Sequence, residues 1–262
     1  MIVHTAQQRE RLIEGGKRLG IILDEIAERA LPGISTAQLD EFTEARIRED
    51  GDIPSFLRYV PEGMSKPFPA SICISVNDGV VHGIPNEHPR ILQHGDVVSF
   101  DLGLTHEGIV VDSAFTISIG IPNKTTRALM ERTASALEAG IVAAQPGARV
   151  GDISHAIESA IKGSGFSMAA SILGGHGVGA HVHEEPFIAN VGRAGTGELL
   201  EDGVVLALEP IVNKGKSNIL LDQNEYTYHT KDGALSVHFE HTILVEEGGP
   251  LVVTRRPSER AV

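Results

Sequence analysis

Apolar residues recur at helical intervals near the start of the chain. Leu12, Leu19, Leu23, Ile26 and Ala30 share one face of a 3.6-residue period. Thr5 and Gln8 ahead of them have capping-box spacing. Pro32-Gly33 ends this helix, and Ser35 or Thr36 starts another with Leu39, Thr43 and Ile47 on a face, closed by Gly51. The same pattern returns 114 residues later, pairing Leu137 with Leu23, Ala144 with Ala30, Pro146-Gly147 with Pro32-Gly33, Glu158 with Glu44, Ile161 with Ile47 and Gly165 with Gly51. Seven identities at one offset within 29 residues exceed the roughly two expected by chance. Strand-like runs come after each helix pair: 71–76, 97–104 and 108–119, then 204–208, 218–221 and 237–245. Helices followed by strands, twice over, predict one α+β domain spanning 1–262, with pseudo-twofold halves of about 5–120 and 121–250. A site between such halves lies in the central cleft. Residues 255–262 read as a tail of low order.

The net charge of −13 excludes a protein that holds nucleic acid by neutralising phosphates. A hydrophobic share of 41% with 22% charged residues is that of a folded globular protein. Cys73 is the one cysteine, so no intramolecular disulfide forms. No apolar run approaches the roughly 18–20 residues of a membrane span, and residues 1–8 lack the pattern of a signal peptide. The expectation is a cytoplasmic protein that binds neither membrane nor nucleic acid.

Candidate chemistry sits in the strand-like runs. Asp101 and Asp112 flank a turn around His106-Glu107. If those two residues form the turn, the aspartates face each other across a hairpin, where like charges are unfavourable unless a cation lies between them. A bulge at Gly108 shifts that register, and an aspartate that caps a turn beside a solvated one is the plainer alternative. In Gly174-Gly175-His176-Gly177-Val178-Gly179 the glycines let backbone pass close to a ligand or ion, and His176 offers a neutral imidazole. His181 and His183 come next at strand spacing, although a solvated or hydrogen-bonded histidine is the commoner case. Glu209 and Glu240 each interrupt an apolar run with no lysine or arginine in it. A buried lone carboxylate must be paired, protonated or metal-bound. His82 ends another apolar run, before Gly83-Ile84-Pro85. Two Asp, two Glu and one His are too acidic a set for a structural zinc site, and fit two divalent ions with bridging carboxylates.

These residues carry a resemblance over nearly the whole chain, from about 5 to 254. Ser75-Val76-Asn77, His82-Gly83-Ile84-Pro85, Asp101 with Asp112, the Gly-His-Gly-Val-Gly segment ending in His183-Glu184-Glu185-Pro186, Glu209-Pro210, and Thr230-Lys231-Asp232-Gly233 leading to Glu240-His241-Thr242 closely resemble the type I methionine aminopeptidases, enzymes of the pita-bread fold. The resemblance implies a metal-dependent aminopeptidase that removes initiator methionine from nascent proteins and prefers a small second residue. Asp101, Asp112, His176, Glu209 and Glu240 would hold two divalent ions, Asp112 and Glu240 bridging. One ion would also take Asp101, and the other His176 and Glu209. Cobalt, manganese, iron or zinc would serve, chosen by availability. A water shared by the ions would attack the methionyl carbonyl, with Glu209 accepting its proton. His82 and His183 would position the peptide and stabilise the tetrahedral intermediate. The family spacing selects His183 over His181.

Departures concentrate where the methionine side chain would sit. Phe68, Cys73, Val182 and Tyr226 should line that pocket. Val182 replaces a familiar aromatic, Tyr226 stands where tryptophan is common, and segment 59–66 looks extended. The insertion typical of type II enzymes is missing between His176 and Glu209. Two other readings compete: a proline-specific (Xaa-Pro) peptidase of the same fold, and a non-catalytic pita-bread module that binds peptides. The first usually carries an additional N-terminal domain, and the second is expected to lose ligands. A monomer with at most a weak ribosome contact is expected.

Overall fold

The computed structural model describes residues 1–61 and 63–259. Among the described residues four helices, α1 (Ala6–Arg29), α2 (Thr36–Glu49), α3 (Lys124–Ala143) and α4 (Val150–Ile161), enclose antiparallel sheets. Their starts are written locally. The Thr5 hydroxyl accepts from the Gln8 N–H and the Gln8 amide oxygen accepts from the Thr5 N–H, which closes the capping box of α1. Ser35, not Thr36, caps α2 in the same way through Gln38. Thr36 turns inward: its buried hydroxyl donates to the Pro85 carbonyl at 2.7 Å and accepts from the Arg90 N–H at 3.0 Å.

Each helix pair is fastened to the chain after it by a matching set of hydrogen bonds. Gly33 N–H donates to Leu92, Leu92 N–H to Ile34 and Thr36 N–H to Arg90. In the second pair Gly147 donates to Leu200, Leu200 to Ala148 and Val150 to Glu198. The first acceptors, Leu92 and Leu200, lead into the strands Val97–His106 and Val205–Leu208. One core packs α1 and α2 against the first of these strands, and a second packs α3 and α4 against the other.

Val97–His106 and Ile109–Ser118 form a long hairpin in a register that differs from the expected one. The turn is Glu107-Gly108, with φ of 46° and 83°. Both turn residues need positive φ, and glycine in the second position satisfies this without strain, whereas His106-Glu107 offers no glycine. Asp101 therefore pairs with Ala114 and Asp112 with Gly103, so the aspartates are diagonal neighbours on one face rather than directly opposed.

The run 237–245, expected as one strand, is two. Ser236–His238 pairs with Ile211–Asn213, and His241–Leu244 pairs with Val205–Leu208. The chain changes sheet at Phe239-Glu240, and its partner does so at Glu209-Pro210. Pro210 has no N–H to continue a ladder. Both glutamates thus occupy a break between sheets. The Glu240 backbone is pinned there: its N–H donates to the Ala114 carbonyl at 2.8 Å and its carbonyl accepts from the Ala114 N–H.

The chain beyond Arg255 is tied down as far as Glu259. Arg255 pairs with Glu138 at 3.0 Å, and the Arg256 guanidinium lies 4.3 Å from the centroid of the Phe115 ring. The Ser258 N–H and hydroxyl both donate to Asp24. Residues 255–259, read from the sequence as part of a tail, thus make contacts with α1, α3 and the hairpin. Residues 260–262 of the expected tail lie outside the described residues. No described helix is long and apolar enough to cross a membrane.

Candidate metal centre

One cavity is lined by all eleven residues given a site role from the sequence: Phe68, Cys73, His82, Asp101, Asp112, His176, Val182, His183, Glu209, Tyr226 and Glu240. His181 is exposed and is not part of the lining.

The hairpin delivers Asp101 and Asp112, both buried, from one face. Cys73, on the neighbouring strand Cys73–Val76, pairs with Asp101. Glu240 comes from its sheet break and His176 from Gly174–Gly177. That strand is wedged between two others. A Cβ on Gly175 would lie 2.4 Å from the Ala207 carbonyl oxygen, and one on Gly177 would lie 2.2 Å from that of Glu185. Only glycine lets the imidazole enter so closely packed a site. Gly177→Ala is expected to displace this strand, because a backbone oxygen cannot yield as a side chain can. Overpacking of this kind costs about 1–3 kcal/mol. At about 2–4 °C per kcal/mol the melting temperature should fall by several degrees. An unchanged or raised melting temperature would show that the strand has room.

The Nδ1 of His176 lies 3.0 Å from the Gly177 carbonyl oxygen. A carbonyl only accepts, so Nδ1 carries the proton and Nε2 presents a lone pair. Nε2 faces Glu209 Oε1 at 3.8 Å and Glu240 Oε1 at 3.9 Å. These gaps are too long for hydrogen bonds and suit atoms that each lie about 2.0–2.2 Å from a shared cation. Ligand atoms of Asp112, His176 and Glu240 all fall within 4.8 Å of one another.

The carboxylates are poorly accommodated without a cation. Asp101 Oδ1 and Asp112 Oδ1 are buried and have no hydrogen-bond partner. Burial and then the neighbouring Glu209 push Asp112 up to about 8. Burial and the charge of Asp112 raise Asp101 and Glu240 well above the carboxylate range. Glu209 differs. Burial raises it, but His238 above all outweighs this and holds it below its ordinary value, so it stays charged. Unsatisfied buried oxygens, an oxygen-rich donor set and one bare imidazole nitrogen fit divalent metal ions.

His82 and His183 line the same cavity as this cluster. His82 has φ of 55°, the left-handed region that side chains avoid, which marks a position held by its surroundings. The Thr227 hydroxyl donates to its carbonyl at 3.1 Å. The His183 ring packs against His176 with centroids 4.5 Å apart, and its Nδ1 lies 2.9 Å from the Tyr59 hydroxyl. His183 keeps one side open to solvent, yet desolvation of its ring within the cavity, then His176 and His82, push it down to about 3, while burial also lowers His82. Both are neutral imidazoles near pH 7 and can each donate one N–H.

Beside the carboxylates the cavity turns apolar. Phe68 and Tyr226 meet edge to face at 5.2 Å, Cys73 and Val182 are buried, and the Tyr226 hydroxyl donates to the Lys66 carbonyl. Phe56, Tyr59 and Pro61 complete the wall and were not singled out from the sequence. They come from an irregular segment with no period to mark them. His238 was also missed; it faces Glu209 at 3.2 Å. Its spacing of two from Glu240 in an apolar run was the available signal.

The model of Metallopeptidase family M24 matches residues 10–247. The chain is 39% identical to methionine aminopeptidase 1 of Mycobacterium tuberculosis, over 95% of this chain and 93% of the relative. It is 36% identical to the methionine aminopeptidase of Aquifex aeolicus, over 96% and 98%. Its fold is similar to that of methionine aminopeptidase from Thermotoga maritima, with a TM-score of 0.91 and 33% identity over 98% of this chain and all of that one.

Proposed function

The chain belongs to metallopeptidase family M24 and has its pita-bread fold, and from that membership and the cavity we infer a metal-dependent methionine aminopeptidase. It removes N-terminal methionine from polypeptides. The observation that carries this reading is the convergence of Asp112, His176 and Glu240 beside an apolar pocket.

Two ions are proposed: one held by Asp101, Asp112 and Glu240, the other by Asp112, His176, Glu209 and Glu240. The orphaned oxygens of Asp101 and Asp112 support this. Divalent ions there supply Lewis-acid polarisation of a peptide carbonyl and an acidified water. Cobalt, manganese, iron and zinc all suit the donors. The residues do the rest. Phe68, Cys73, Val182 and Tyr226 seat the methionine side chain and exclude water from it. Glu209, charged in its ring of imidazoles, accepts the proton of the attacking water at its carboxylate. His82 and His183, as neutral N–H donors, orient the peptide and stabilise oxyanion charge as it develops. The halves of about 5–120 and 121–250 are read as a structural duplication, supported by their recurring hydrogen bonds. A cytoplasmic monomer that acts on nascent chains, with at most weak ribosome contact, completes the proposal.

The test is a choice of substrates. Methionine should be released from Met-Ala-Ser, and more slowly when the second residue is Leu or Arg, as likeness to the methionine aminopeptidases implies. Faster cleavage of Xaa-Pro dipeptides than of Met-Ala-Ser would favour the proline-specific reading.

A further inference from the structure

His238 has no part in the ligand set above, yet it faces the same glutamates. Its side chain is 2% exposed. Nε2 lies 3.2 Å from Glu209 Oε2 and 3.8 Å from Glu240 Oε2. His176 Nε2 approaches the other oxygen, Oε1, of each. The two glutamates are thus bracketed by two imidazoles.

The imidazoles are not equivalent. His176 presents a lone pair, because its Nδ1–H is committed to Gly177. His238 Nε2 is sealed from water and has no well-formed hydrogen bond. A lone pair there would face carboxylate lone pairs with nothing to offset the repulsion, so Nε2 is stable only as an N–H. The backbone that carries the ring is held in place. The His238 N–H donates to the Thr116 hydroxyl at 3.0 Å, and its carbonyl accepts from that hydroxyl at 2.8 Å. Long or misaligned contacts of this kind tighten when a site is loaded.

We propose that His238 is a positioning residue for Glu209: its Nε2–H holds Glu209 Oε2, which leaves Oε1 on the side of His176 for the ion and the reaction. This rests on the metal-centre reading. Partners that orient ligands in this way typically change metal affinity or activity by about 10–100-fold.

His238→Leu and His238→Ala remove the donor with and without its bulk, and His238→Gln keeps an N–H donor. Three measurements decide: calorimetric titration of chelator-stripped protein with Mn²⁺, the absorption spectrum with Co²⁺, and kcat and KM for Met-Ala-Ser. Melting of the stripped variants checks their fold. Leu and Ala should bind Mn²⁺ about 10–100-fold more weakly and lower kcat with little change in KM, while Gln recovers most of both. The Co²⁺ spectrum of the Gln variant should match wild type, since no ligand is lost. Wild-type affinity and kcat in the Leu or Ala variant would overturn the proposal, as would a Gln variant as impaired as Leu. A Co²⁺ spectrum altered alike in all three would make His238 a ligand instead. Absence of Mn²⁺ binding by the wild type would overturn the metal centre itself, and His238 with it.

Discussion

Glu209→Gln should lower kcat by about 10²–10⁴-fold, the usual contribution of a positioned acid–base group. The substitution keeps an oxygen of similar reach and removes the proton acceptor. Glu209 is suited to accept a proton because His238 above all keeps it ionised while burial raises Asp101, Asp112 and Glu240. Metal affinity should also fall, because a neutral amide is a poorer ligand, so kcat is to be measured at saturating metal. Near-wild-type turnover under those conditions would remove Glu209 from the proton-transfer role.

Asp112→Asn should reverse the stability order of the two proteins as metal is added. Without metal, wild-type Asp112 sits among raised carboxylates with its own pKa near 8, above the ordinary value of about 3.9. The native state then binds protons more tightly than the unfolded state. Its stability is greatest below about pH 4 in this respect and falls as pH rises towards 8. In chelator at pH 8 the variant should melt at or above wild type, and this advantage should shrink towards pH 5. At a Mn²⁺ or Co²⁺ concentration 100 times Kd, binding adds about 2.7 kcal/mol to the wild type, or roughly 5–10 °C. The wild type should then melt higher, and the variant should be almost inactive throughout. A variant less stable by the same margin with and without metal would assign Asp112 to packing. The corrected hairpin register leaves this expectation standing, since diagonal carboxylates on one face still meet in a buried site.

The helices and the ligand-bearing runs were legible because their signals are local. Capping pairs, Pro-Gly stops and a lone carboxylate among apolar residues are each visible within a few positions. The features that escaped the sequence depend on the third dimension. An apolar run such as 237–245 cannot reveal that its two ends belong to different sheets, although Pro210 in the partnering run was a hint. The hairpin register turned on one residue, Gly108, whose tolerance of positive φ decides which pair forms the turn. Tyr59 reaches His183 from a segment without periodicity, and only the folded chain brings the two together. Residues 256–259 lack an apolar pattern, yet Arg256 and Ser258 hold them to α1 and the hairpin through charge and hydrogen bonds.

The most direct test is methionine release from Met-Ala-Ser by chelator-stripped protein as Mn²⁺ or Co²⁺ is returned. The expected result is negligible release in chelator, recovery with added ion, and no recovery in Asp112→Asn. Release at full rate in chelator, or equal recovery in Asp112→Asn, would contradict a metal centre built on these carboxylates.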